Sequence, residues 1–335
     1  MTLADVGFFL TASPLHGFGH LRRCLKIAEA IGKREPELRM VFSGEFSSEA
    51  KEVLRPDQPD SPLVGLSDLQ ADVVVIDCMF DIDDPNIIDR GLIARVRERG
   101  RRTILITSGL TAPLELEVDI VVGHMLKPMA ETGKAKFITG LEYAPVLNEE
   151  LVSEALSQNR VEPEVENILV ISGSWKNCDA ICSPLVALNE IGFTGSVTVL
   201  VPETLLGRVD EIASLRTGFY VKLKSRVPSV LEMMRESDLV IGTYGNATFE
   251  AFAVGVPFGT VCVKEFQDEY ASELEKRGLL FNLGMVETIN KNKLKMLISR
   301  TGKSQRAEMV KIARAKVDGM GIERISELIS QATRN

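Results

Sequence analysis

Gly17-Phe18-Gly19-His20 places one of only three histidines beside two glycines, where a strand gives way to a helical pattern. Histidine titrates near neutrality, so at this position it suits a general base that takes the proton of a substrate hydroxyl. Filling the turn or capping the helix would equally account for it. His16 lies nearer the loop apex and reads as structural or as a weaker substrate contact; His124 follows a strand end without a further signal. The other chemical stretch runs from Val240 to Glu250. It begins as an apolar strand, turns through Gly242 and Gly245, and resumes with helical spacing. Asn246 is the expected N-cap, and Gly255-Val256-Pro257 the expected stop. Such a turn leaves backbone N–H groups unpaired at a helix N-terminus, where Thr243, Tyr244, Gly245, Asn246 and Ala247 would meet a phosphate or diphosphate. Glu250, one helical turn beyond Asn246, suits sugar hydroxyls. An ordinary strand-to-helix turn with a solvated Glu250 fits the same pattern.

Three further groups border expected strand ends. Asp77, Asp81, Asp83 and Asp84 could hold magnesium or orient a sugar, although capping and solvation account for most of them. Asp77 and Asp81 are the pair to follow. Ser172-Gly173-Ser174-Trp175-Lys176-Asn177 has small residues that allow close backbone approach to a ligand. Trp175, the only tryptophan, suits stacking on a sugar or packing at a domain boundary. Gln267 offers the donors and acceptors that sugar recognition needs, or simply starts a surface helix. The five cysteines form no disulfide framework. Cys178 and Cys182 share a helical face, but two ligands do not make a zinc site.

The elements that position these residues alternate along the chain. With 335 residues, 45% apolar and 26% charged, the protein reads as globular with two domains. A net charge of −8 argues against a nucleic-acid or anionic-membrane surface. No transmembrane or signal segment is visible, so a cytoplasmic location is expected. Val6–Leu10, Leu38–Phe42, Ala71–Asp77, Thr103–Ile106, Asp119–Val122 and Phe137–Ile138 read as strands of a first domain, with a helix over Leu21–Ile31 closed by Gly32. Asp84-Pro85 is the expected start of a helix to about Arg97, and Pro56–Ser67 an exposed loop. After Pro145 the alternation restarts with strands at Asn167–Ile171, Ser196–Val201, Phe219–Leu223, the opening stretch and Phe258–Val263. The C-terminal quarter reads as helical, broken at Gly319-Met320-Gly321. This order predicts two doubly wound parallel sheets, over residues 1–145 and 146–335, whose last helix could pack back on the first domain. Ligands in such sheets bind at strand carboxyl ends, here in the cleft between domains.

Gly17-Phe18-Gly19-His20-Leu21-Arg22-Arg23-Cys24-Leu25 resembles the glycine–histidine loop and first helix of the UDP-sugar hydrolases of pseudaminic acid synthesis and of the spore-coat polysaccharide glycosyltransferases. Gly140-Leu141-Glu142-Tyr143-Ala144-Pro145 and Val317-Asp318-Gly319-Met320-Gly321-Ile322-Glu323-Arg324-Ile325 are similar to interdomain and C-terminal motifs of that group. Ile241–Pro257 and Gln267 resemble the donor half of the lipid II-forming UDP-N-acetylglucosamine transferase. The resemblance implies a GT-B fold, two facing Rossmann-like domains with the donor held mainly by the second. It implies His20 as general base and makes Asp77, the strand aspartate, a second catalytic candidate. It implies Gly245 and Asn246 at the diphosphate, Glu250 at the ribose hydroxyls, Val227 near the uracil and Gln267 at the donor sugar. Gly17, Gly19, Ser174 and Trp175 fall on the sugar and acceptor side. Three places depart from the pattern: Tyr244 replaces a glycine, Cys78-Met79 replaces a histidine–tyrosine pair, and Ser172-Gly173-Ser174-Trp175 replaces a glycine–glycine–small–aspartate run.

The expected activity is therefore transfer of the sugar of a nucleotide-diphosphate sugar, a UDP-sugar by resemblance, to an acceptor hydroxyl in surface polysaccharide or glycoconjugate synthesis. Neither a cofactor nor a metal is required. A UDP-sugar hydrolase using water and a non-catalytic nucleotide-sugar binder are the alternatives.

Overall fold

A computed structural model describes residues 4–13, 18–48, 50, 51, 54, 63–77, 89–107, 117–124, 135–146, 161–172, 178–215 and 217–334. His16, Gly17, Cys78, Met79, Asp81, Asp83, Asp84, Ser174 and Trp175 lie outside them. The chain divides into two compact units, Met1–Leu147 with Met320–Asn335, and Asn148–Gly319.

The first unit holds the strands β1 (Ala4–Ala12), β2 (Met40–Phe46), β3 (Leu63–Val64), β4 (Ala71–Asp77), β5 (Gly100–Thr107), β6 (Ile120–Gly123) and β7 (Lys136–Thr139). They form one parallel sheet in the order β3-β2-β1-β4-β5-β6-β7. Both faces are covered, which explains why the strands read as unbroken apolar runs. Val6, Phe8, Leu10, Val73 and Val75 pack on one face, with Leu21, Cys24 and Ile27 of helix α1 (Gly19–Arg34). Phe9, Val74 and Ile76 pack on the other, with Ile93 and Val96 of α2 (Arg90–Arg97).

The second unit carries β8 (Asn167–Ile171), α3 (Asp179–Glu190), β9 (Ser196–Leu200), α4 (Val209–Ala213), β10 (Tyr220–Lys224), α5 (Val230–Arg235), β11 (Leu239–Thr243) and α6 (Asn246–Val254). β12 (Phe258–Cys262), α7 (Glu265–Lys276), β13 (Phe281–Met285), α8 (Lys291–Ile298) and α9 (Lys303–Lys316) complete it. Its parallel sheet has the order β10-β9-β8-β11-β12-β13. The last helix, α10 (Gly321–Arg334), belongs to the first unit. Its Ile322, Ile325, Ile329 and Ala332 form one stripe that enters the same core as α1. Among the described residues no helix is long and apolar enough to cross a membrane.

Several local expectations are corrected. α1 runs three residues past Ile31 through Gly32, because nothing after that glycine adopts a left-handed cap; the first described positive-φ glycine beyond it is Gly44. Asp89 caps α2 by accepting from Leu92 N–H, while the expected Asp84 cap lies outside the described residues. Leu63–Val64 pairs with β2 inside the stretch read as loop. β13 interrupts the quarter read as helical; the run Leu279-Leu280-Phe281-Asn282-Leu283 after Gly278 was its signal. Gly242 lies in β11 rather than in the turn, where an added Cβ would stand 2.9 Å from the Ile171 carbonyl oxygen and 3.1 Å from the Phe258 ring. Gly255 does end α6, with φ at 82°.

Arg306 of α9 is a fully buried cation satisfied by carbonyls. Its guanidinium donates to the Leu297 and Ser299 carbonyls and, through Nη2, to those of Glu162 and Pro163 at 2.8 Å each. It thereby fastens the residues preceding β8 to the end of α8. Arg306→Met keeps the apolar stem and strands these carbonyls. We expect a loss of at least about 3 kcal/mol of stability, read as a shift of the urea midpoint.

Candidate functional site

Both sheets reverse winding next to their first strand, between β1 and β4 and between β8 and β11. At such a switch point the connections leave to opposite faces and open a crevice at the strand carboxyl ends. Among the described residues, His20 and Asp77 lie at the first of these places and Thr243–Ala247 at the second.

In the first unit, Leu10 of β1 is in register with Asp77, the last residue of β4. The chain leaving β1 enters α1, whose first turn presents His20, Arg23 and Cys24 on one face by their spacing of three and four residues. All three reach Asp77. His20 Nδ1 lies 2.7 Å from Oδ1, Arg23 Nε donates to Oδ2 at 2.7 Å, Arg23 Nη2 donates to Oδ1, and Cys24 Sγ donates to Oδ2 at 3.4 Å. Asp77 is wholly buried, whereas the His20 side chain keeps 15% of its surface exposed. Burial alone would raise the Asp77 carboxyl; the Arg23 guanidinium, and after it His20, outweigh this and hold it well below the usual carboxylate range.

An ionised carboxylate only accepts hydrogen bonds, so His20 Nδ1 carries the proton it shares with Asp77. Arg23 Nη2 also approaches Nδ1, at 3.1 Å, but an arginine cannot accept and both groups point at the same oxygen. The lone pair of neutral His20 is therefore on Nε2, the atom a general base uses. His124, at the end of β6, is buried; burial and then Arg23 push its pKa down to about 3, so it stays neutral beside the pair. The sequence reading placed Arg23 only within a motif and missed its part. Its signal was position: a residue one turn after His20 on the same helix face.

In the second unit, α6 follows β11 through Tyr244-Gly245. Gly245, not Asn246, is the N-cap, with Asn246 the first helical residue. The correction has a physical cause. Thr248 Oγ1 accepts from Gly245 N–H at 3.3 Å while the Thr248 N–H bonds the Gly245 carbonyl at 3.0 Å, a reciprocal pair that starts the helix one residue earlier than expected. Gly245 N–H is thereby used. The Asn246 and Ala247 N–H groups remain at the end of the helix, where no intrahelical carbonyl can reach them. An added Cβ at Gly245 would meet open space.

Side chains from β11, β12 and α7 brace this turn. Thr243 Oγ1 donates to the Ser172 carbonyl and Thr260 Oγ1 to the Gly242 carbonyl, each at 3.1 Å. Gln267 is 1% exposed; its Oε1 accepts from Val263 and Lys264 N–H at 2.8 and 3.2 Å, and its Nε2 donates to the Tyr244 carbonyl at 3.3 Å. Gln267 thus caps α7 and ties it to the α6 turn. The Tyr244 ring is likewise committed to packing, stacked on Tyr270 at 5.4 Å and edge-on to Phe249 at 6.0 Å. Only its backbone borders the turn. Glu250 is 7% exposed, which rules out the solvated reading. Val227 is half-buried and follows Arg226, whose φ of 50° is sparsely populated for a side-chain-bearing residue.

Asp77→Asn would leave the Arg23 charge buried without its counter-charge and cost about 3–5 kcal/mol at neutral pH. The folded carboxyl titrates below its unfolded value, so this contribution is complete above about pH 4 and is lost as pH falls towards the folded value. Urea midpoints of the two proteins should therefore differ at neutral pH and converge in acid. Equal midpoints at neutral pH would contradict the assignment.

No known family profile matches the chain. It is similar to the uncharacterized protein MJ1062 of Methanocaldococcus jannaschii, 23% identical over 286 residues that cover 78% of this chain. The chain spans 57% of that relative's length. Among solved structures it is similar to MurG of Acinetobacter baumannii, with a TM-score of 0.65 at 14% identity, covering 98% of this chain and 99% of the other. It is similar to a UDP-glucosyltransferase of Polygonum tinctorium capable of glucosylating indoxyl, with a TM-score of 0.65 at 13% identity and coverage of 100% and 99%. A UDP-N-acetylglucosamine 2-epimerase gives a TM-score of 0.55 at 14% identity, with coverage of 100% and 98%. At these identities the likeness establishes the fold, an α/β chain of two Rossmann-like parallel-sheet units of the GT-B type.

Proposed function

We propose that the protein cleaves the anomeric C–O bond of a nucleotide-diphosphate sugar, a UDP-sugar, and passes the sugar to an acceptor hydroxyl. The observation that carries this reading is the His20–Asp77 pair. A buried carboxylate fixes the imidazole tautomer and leaves Nε2 as a base at a sheet switch point. His20 Nε2 takes the acceptor's proton, and Asp77 stabilises the imidazolium that forms. The acceptor oxygen bonds to the anomeric carbon as the bond to the β-phosphate oxygen breaks on the opposite face, so the product is inverted. The Asn246 and Ala247 N–H groups and the α6 dipole take up the charge of the departing UDP.

The remaining assignments belong to the same reading. Glu250 holds ribose hydroxyls, the backbone at Val227 meets the uracil, and Gly17, Gly19, Ser174 and Trp175 line the sugar and acceptor side. Gln267 and Thr243 act indirectly, by fixing the Tyr244–Gly245 turn. The two domains are residues 1–145, joined by the last helix, and 146 onward. Names of the structural relatives, among them a UDP-glucosyltransferase and a UDP-N-acetylglucosamine 2-epimerase, support UDP-sugars as the substrate class.

The test is UDP release from a panel of UDP-sugars, with and without hydroxyl acceptors, beside a His20→Ala control. We expect acceptor-dependent release that falls about 10²–10⁴-fold in His20→Ala, while UDP affinity is retained. Release with water alone, lost in His20→Ala, would make the protein a hydrolase. Binding with no turnover under any acceptor would leave it a nucleotide-sugar binder. Failure to bind UDP or any UDP-sugar would overturn the proposal.

A further inference from the structure

Away from both switch points, the sulfurs of Cys178 and Cys182 lie 3.2 Å apart. A carboxylate oxygen of Glu211 joins them, all three donor atoms falling within 4.8 Å of one another. Cys178 is the N-cap of α3 and Cys182 lies one turn on, whereas Glu211 arrives from α4. The third donor is what sequence spacing could not supply. We propose that Cys178, Cys182 and Glu211 form a binding site for a borderline-soft divalent metal ion of the zinc type.

The donor set selects the ion. Magnesium and calcium take oxygen ligands, whereas zinc accepts two thiolates with a carboxylate and leaves a fourth tetrahedral position for water. The spacing agrees. Metal–sulfur bonds of ~2.3 Å in a tetrahedron put the sulfurs ~3.8 Å apart, about half an ångström wider than they stand. Closing them to a disulfide would require ~2.0 Å, a larger move in the other direction. Arg208 Nε and Nη2 donate to the two Glu211 oxygens at 2.8 and 2.7 Å. This orients the carboxylate as an outer-shell partner does, and each oxygen keeps a lone pair. On binding, two metal–sulfur bonds form and two thiol protons leave to solvent. Cys182 is half-buried and Glu211 exposed, which gives an ion access to the site. Two other described thiols are engaged elsewhere, Cys24 with Asp77 and Cys262 with Asn282. Cys178 directly follows the segment containing Ser174 and Trp175, so a bound ion would fix the point where that segment enters α3.

The reduced full-length protein is titrated with Co(II) as the probe and then with Zn(II). One equivalent of Co(II) should bind with a thiolate-to-metal charge-transfer band and tetrahedral visible bands, which Zn(II) abolishes. Cys182→Ser should weaken binding at least about tenfold and diminish the band, with its circular dichroism unchanged; Cys178→Ser, at a buried position, is the companion variant. Glu211→Gln should weaken binding while keeping the band, and Cys262→Ser should change neither. Absence of the band at stoichiometric Co(II), or a band and affinity unaffected by Cys182→Ser or by Glu211→Gln, would overturn the proposal.

Discussion

In a parallel sheet every crossover must return to the starting edge, and its right-handedness fixes the face on which the returning segment lies. A sheet that extends to both sides of its first strand must therefore send two neighbouring connections to opposite faces. The two connections then part at the carboxyl ends of those two strands. This holds between β1 and β4 and again between β8 and β11. Each unit consequently has one place where backbone and side chains can meet a ligand without disturbing the packed core.

What each unit puts there follows from different physics. The first places charge: Asp77 remains ionised without solvent because Arg23 stands against it, and the surplus of that arrangement orients His20. A buried carboxylate with histidine alone would be driven towards its neutral form by desolvation. Arg23 is thus the residue that lets Asp77 act on His20 as an anion. The second places dipoles. Its turn carries no cation among Thr243–Ala247 and relies on backbone N–H groups held still by Thr243, Thr260 and Gln267. Rigid donors of this kind need no reorganisation when charge arrives.

Much of this was legible in the sequence, for reasons that can be named. Asn167–Ile171 and Ala71–Asp77 coincide with their strands because a strand covered on both faces is a continuous apolar run bounded by polar residues. The glycine turns and His20 were visible because glycine and histidine are scarce and chemically distinctive. Long-range pairings were not visible. Arg23 is one arginine in a basic stretch until β4 brings Asp77 to it, and Glu211 is one surface acid until α4 brings it to the two cysteines. The bracing role of Gln267 was hidden for a related reason: an amide capable of recognising a sugar is equally capable of bracing a loop, and only the fold shows the second use. β13 escaped because Lys291–Ile298 and the helices after it set a helical expectation that spread back over Phe281–Met285.

The central claim, that the α6 N-terminus holds a diphosphate through its first free N–H groups, is tested most directly by titrating UDP and uridine into the wild type and Asn246→Pro. Proline is accepted at the first position of a helix but has no N–H to give. The account predicts that UDP affinity falls about 10–100-fold in the variant, as loss of a hydrogen bond to a charged group requires, while uridine binding is unchanged. Unchanged UDP affinity in a folded Asn246→Pro protein would contradict it.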